Sequence, residues 1–168
     1  MAAALDAERE TENRSAELAR RYFRNGYSCS EAILKAFNEI YELELPTGAH
    51  TIATGFGAGL GEAGCACGSL TAGVMALGLL SGREKVYESN RSVFQATKEL
   101  HDRFRKKHKA ACCRILTKDV VWDSAEHKAL CETYVFDSAL FTDEIIRTRL
   151  AWAKRPAGNP ETPREETK

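Results

Sequence analysis

Apolar positions recur with a helical period along nearly the whole chain. In the clearest run, Cys29, Ala32, Ile33, Ala36, Phe37, Ile40 and Tyr41 fall at i, i+3, i+4, i+7, i+8, i+11 and i+12 and form one stripe. Ser28 and Glu31 supply an S-x-x-E capping box, which places Cys29 in the first turn of that helix. Upstream, residues 6–25 are charged, with Ala16, Leu18, Ala19, Tyr22 and Phe23 to one side, and Gly26 is a C-terminal stop. Pro46 is expected to open a shorter helix that carries Ile52 and Phe56 and ends in glycines. Residues 69–80 read as an apolar helix closed by Ser81 and Gly82. Residues 88–108 read as a long amphipathic one with Val93, Phe94, Thr97, Leu100 and Phe104 inward. A short loop at 110–113 leads to CRILTKDVVWD, whose period decides nothing. Ser124 then caps a helix with His127, Leu130, Cys131, Tyr134 and Val135, and Thr142 or Asp143 is expected to cap a last one through Trp152. The pattern predicts an all-α fold, a helical bundle of six or seven helices. One domain spans 1–154, and the Pro-rich, charged run RPAGNPETPREETK at 155–168 is expected to be a disordered tail.

Length and charge narrow the classes. A chain of 168 residues is enough for one domain with a real core. Its 24 basic residues balance 24 acidic ones, so no overall field draws it onto nucleic acid or an anionic membrane. The one basic run, RFRKKHK at 103–109, ends a predicted helix and complements the negative end of its dipole. MAAALDAERETENR has no apolar core of the kind a secretory signal carries. The longest uncharged stretch, 63–82, is rich in glycine and cysteine over its first third, and its remaining residues are too few for a membrane span. A cytoplasmic location is expected, and no membrane span.

Candidate chemistry gathers in GFGAGLGEAGCACGSLTAG, residues 55–73. Gly59, Gly61 and Gly64 complete a literal G-x-G-x-x-G. A dinucleotide site also needs a strand before the glycines, and a second strand ending in an acidic residue about 20 positions on. The segment around Glu84, SGREKVYESNRS, has no buried-strand character, so the glycines instead predict sharp turns and close backbone approach. Six cysteines in a chain expected in a reducing compartment are buried small hydrophobes, metal or cluster ligands, or redox thiols. Cys29 and Cys67 each stand at a predicted helix N-terminus, where the dipole favours a thiolate. Gly68, Ala72 and Ala76 give the second of these helices a smooth face. Cys112 and Cys113 are adjacent, and His127-x-x-x-Cys131 points two metal-capable side chains to one helix face. No zinc-finger spacing, C-x-x-C, C-x-x-C-H, P-loop or serine triad stands out.

YSCSEAILKAF, GFGAGLGEAGCACGSLTAGVMALGL, CCRILT and a late cysteine together resemble the redox-active protein family named C_GCAxxG_C_C, over roughly residues 15–140. The resemblance makes Cys29, Cys67, Cys113 (followed by Arg114) and Cys131 the family cysteines, and Cys65 and Cys112 extras. The family's C-G-A-x-x-G becomes Cys67-Gly68-Ser69-Leu70-Thr71-Ala72, with small residues kept small. It implies a helical fold and redox chemistry. It also points to a related module in split-Soret cytochromes, dimeric proteins with an iron–sulfur centre beside their haems.

The first expectation is therefore an electron-transfer protein whose Cys29, Cys67, Cys113 and Cys131 bind an iron–sulfur cluster, with Gly68 in its close-approach wall. One alternative is a metal-free thiol–disulfide protein, with Cys29 and Cys67 as attacking and resolving thiols or Cys112 and Cys113 as a switch. Another is structural zinc on Cys113, His127 and Cys131. A homodimer is expected from the smooth faces and the split-Soret likeness; the redox partner is not named by the sequence.

Overall fold

The computed structural model describes residues 13–46 and 48–150. Among them are seven α-helical segments and no sheet: α1 Arg14–Arg24, α2 Cys29–Ile40, α3 Gly57–Leu60, α4 Gly68–Ser81, α5 Arg91–His108, α6 Cys113–Leu116 and α7 Ala125–Arg149. A 3-10 segment, Ala49–Phe56, precedes α3. The all-α bundle follows from the periodicity. The expected tail at 155–168, the start of the first helix before residue 13 and Trp152 all lie outside the described residues.

The apolar stripes meet as predicted where they are strongest. Ala32, Ile33, Ala36 and Phe37 of α2 are fully buried against α1 and α4. The capping box forms: Ser28 Oγ accepts from Glu31 N–H, and the Glu31 carboxylate accepts from Ser28 N–H at 2.8 Å. Helix α4 is apolar all round and takes the centre, packing on α2, α5 and α7. A Cβ added at its Gly73 would lie 2.5 Å from Thr142 Oγ1 and 2.8 Å from Leu100 Cδ2, so glycine is what lets three helices converge there.

Three expectations need correction, and one undecided stretch takes a definite form. Residues Thr142 and Asp143 begin no new helix, because α7 runs unbroken from Ala125 to Arg149. Their cap-competent side chains have other partners: Thr142 Oγ1 donates to Ser138 O, and Asp143 accepts from Tyr41 and Arg147. Pro46 opens no α-helix; the segment starts at Ala49 after Gly48 in the left-handed region, and Ala53 is buried where Ile52 was expected. Phe94 points outward at 65% exposure, with Ala96 buried in its place, and α5 starts at Arg91 rather than at residue 88. The undecided CRILTKDVVWD becomes the single turn α6 followed by an irregular link to Ser124, which caps α7 by accepting from His127 N–H.

Candidate functional site: four thiols around one cavity

Between α2, α4, α6 and α7 lies a half-open cavity of about 770 Å³. Cys29, Cys67, Cys113 and Cys131 all line it; Cys65 and Cys112 do not. The chain reaches this arrangement through four local devices. Cys29 is the first residue of α2, set by the capping box. Cys67 is the residue before α4, with Sγ 3.1 Å from Ser69 Oγ. Cys113 opens α6 and is held beside the Cys67 segment by an antiparallel bridge between Ala66 and Cys112, in which Cys67 N–H donates to Ala111 O at 2.9 Å. Cys131 lies one turn after His127 on α7, its Sγ 3.6 Å from His127 Nε2.

The glycine stretch acts as a close-approach wall. Gly57 to Gly61 closes a left-handed turn, with Gly61 N–H donating to Gly57 O and φ positive at Ala58, Gly59, Leu60 and Gly61. At Gly59 (φ +70) a Cβ would stand 2.5 Å from Cys113 Cβ and 2.9 Å from Cys65 N. A Cβ at Gly68 would stand 2.5 Å from Cys29 Sγ and 2.7 Å from Phe56 O. Gly59 and Gly68 thus each make room for a cavity cysteine. Among the described residues no strand precedes these glycines, so the literal G-x-G-x-x-G is not part of a dinucleotide fold.

The sequence suggested that helix N-termini would favour thiolates at Cys29 and Cys67, and here burial outweighs them. Burial pushes the Cys29 thiol up to about 12, with the nearby Cys67 adding to the rise, although the backbone N–H groups of Ala58 and Ser30 point at its sulfur. Cys67 is raised by burial too, against hydrogen bonds from the Ser69 side chain and the N–H groups of Ser69 and Leu70. Cys131 is pushed up to about 12 by burial and then by Cys29, Cys67 and Cys113, and Cys113 up to about 11 by burial and by Cys67 and Cys112. The four sulfurs thus lie in one another's field. With nothing bound between them, they are neutral thiols at ordinary pH.

Of the extras, Cys65 is exposed, and Cys112 donates its S–H to Gly64 O at 3.1 Å. On His127, Nδ1 accepts the backbone N–H of Asp123 at 3.3 Å, while Nε2 faces Cys131. Among the described residues no three His, Cys, Asp or Glu side chains form a group that could hold a metal ion, Cys113, His127 and Cys131 included. Sequence reasoning missed the walls around the thiols. Tyr134, four-fifths of a turn past Cys131, donates to Leu116 O, and Trp122 packs on the His127 ring with centroids 4.4 Å apart. The i, i+7 spacing of His127 and Tyr134 carried the signal for the first, and nothing in the irregular link carried one for the second.

A helical bundle with four separated cysteines turned onto one cavity is a cysteine-lined site. The chain matches the family model described as "Putative redox-active protein (C_GCAxxG_C_C)" over residues 27–145 and belongs to that family. No curated protein and no solved structure matches it. No helix among the described residues is long and apolar enough to cross a membrane.

Proposed function

We propose that this protein is a small electron-transfer protein that holds an iron–sulfur cluster on Cys29, Cys67, Cys113 and Cys131. The observation that carries the reading is the partition of six cysteines: the four at family positions share one cavity, and Cys65 and Cys112 lie outside it. Two-iron and four-iron clusters both take four thiolates. Sulfurs spread around some 770 Å³, with no three donors grouped for one ion among the described residues, suit a polynuclear group better than zinc. A cluster held there would supply one-electron transfer.

The chain's own groups have definable work in that reading. Backbone N–H groups of Ala58 and Ser30 at Cys29, and of Ser69 and Leu70 at Cys67, stabilise negative charge on sulfur. Leu116, Tyr134 and Phe23 give the cavity apolar lining beside the thiols. Gly68 lets α4 press on Cys29. Because burial holds the free thiols protonated, loading must release protons, so apparent metal affinity rises with pH. The same burial argues against the metal-free thiol–disulfide reading, since an attacking sulfur needs an accessible thiolate.

The test is anaerobic purification with a visible spectrum and assays of iron, zinc and acid-labile sulfide on one sample. Broad absorption with iron and sulfide in matching amounts is expected. Alanine at Cys29, Cys67, Cys113 or Cys131 should remove it, and alanine at Cys65 or Cys112 should not. Intact cluster content in any of those first four variants would sink the assignment. A colourless protein whose free-thiol count changes reversibly with dithiothreitol would replace it with the thiol–disulfide reading, and stoichiometric zinc with the structural one.

A further inference from the structure

The cavity is larger than the proposed cluster. Eight iron and sulfide atoms, each given about the volume share of a water molecule, occupy roughly 240 Å³. Taken from some 770 Å³, that leaves space within the ordinary range of small-molecule pockets.

The outer walls say what would fit. The charged side chains at the rim pair with one another: Arg24 with Glu132, at 2.6 Å and 3.1 Å, and Lys128 with Asp123 at 3.0 Å. An ionised ligand would meet no uncompensated counter-charge there. The remaining lining is mostly apolar and includes the aromatic rings of Phe23, Tyr27, Trp122 and Tyr134.

One polar group is aimed inward. A backbone N–H can only donate, so the bond from Asp123 N–H makes His127 Nδ1 an acceptor. The ring therefore carries its proton on Nε2, which donates to Cys131 Sγ at 3.6 Å, and both residues line the cavity, where a ligand acceptor can share that proton. Asp123 reaches this position with φ +62, a left-handed conformation that is uncommon outside glycine.

We propose that the outer part of the cavity binds a flat, uncharged small molecule that accepts a hydrogen bond from His127 Nε2 and stacks beside Trp122. The ligand's relevance to electron transfer rests on the cluster reading, but its binding belongs to the cavity. Testing iron-loaded and iron-free full-length protein side by side therefore separates failure of one from failure of the other.

The probes are 1-tetralone, a flat neutral ketone, and 1-naphthoate, an anion of similar size, each titrated by calorimetry. Tetralone is expected to bind saturably and naphthoate at least tenfold more weakly. His127→Phe should weaken tetralone about tenfold, the worth of one hydrogen bond. Trp122→Leu, at a half-exposed position, should weaken it further without unfolding the bundle, as circular dichroism would verify. No binding by either form of the protein overturns the proposal, as does equal affinity for naphthoate or unchanged affinity in both variants. Nitrogen NMR of His127 gives an independent check, and a proton found on Nδ1 also overturns it.

Discussion

The wall of the cavity that carries His127 and Cys131 is one face of a regular 25-residue helix, whereas the wall that carries Cys29, Cys67 and Cys113 is assembled from helix ends and a left-handed turn. On α7 the two side chains meet because residues four apart share a face, and the backbone needs nothing unusual. On the other side three sulfurs come from distant parts of the chain. Bringing them together puts Ala58, Leu60 and Glu62 at positive φ, at a cost of about 1–2 kcal/mol for each non-glycine residue. The contrast teaches that the turn meeting the sulfurs carries strain along most of its length, whereas α7 itself carries none and is its rigid reference.

The largest effect that sharpens this comparison is in thiol reactivity. In metal-free protein at pH 8, Cys65, exposed, should react with a maleimide at least ~100-fold faster than Cys29 or Cys131, whose thiols are pushed up to about 12. Mass spectrometry of quenched samples checks the order; equal rates would show that the cavity opens freely.

Next come the glycines. Gly59→Ala adds both a left-handed penalty and a clash with Cys113, so a loss of about 3 kcal/mol or more is expected in urea unfolding. Gly68→Ala should cost about 2–3 kcal/mol, since Phe56 O is backbone and cannot step aside cheaply. On the helical wall, Ala129→Gly should cost only about 1 kcal/mol, the loss of helix propensity. Equal costs on both walls would erase the distinction.

Alkaline pH gives a graded effect. Unfolded thiols ionise near ~8.5, and the folded ones of Cys29, Cys113 and Cys131 at about 12, 11 and 12. The folded, metal-free protein thus holds more protons in that window. Its stability is full below about pH 8.5 and should fall as pH rises toward 11–12. Cys131→Ala should make the decline shallower in urea titrations run across that range.

The smallest effect has the opposite sign. Ala58→Gly relieves a positive φ but adds unfolded-state entropy, so a net gain of about 0.5 kcal/mol is expected from the same unfolding assay. A loss instead would mean that the methyl group packs usefully against the cavity.

Legibility from sequence divides along the same two walls. The α2 stripe, its capping box, the bounds of α4 to within one residue at each end and the closeness at Gly68 were all readable, because each depends on local period or residue size. Spacing also grouped His127 with Cys131, but not the proton on Nε2, which depends on a backbone N–H at Asp123. The unbroken α7 was hidden because Thr142 and Asp143 look like caps until Ser138, Tyr41 and Arg147 supply partners. Phe94 and Ile52 sit on apolar periods yet face outward, since period alone does not say which neighbour arrives. The left-handed turn was half visible: glycines marked it, but nothing local predicts positive φ at Leu60 or Glu62.

That turn bears on where the fold opens first. A segment held in a conformation its own residues disfavour opens at lower free energy than the helices around it. The stretch over Cys29 and Cys113 is therefore expected to open before the cores of α2, α4 and α7, and its amides to be the first to exchange with deuterated solvent.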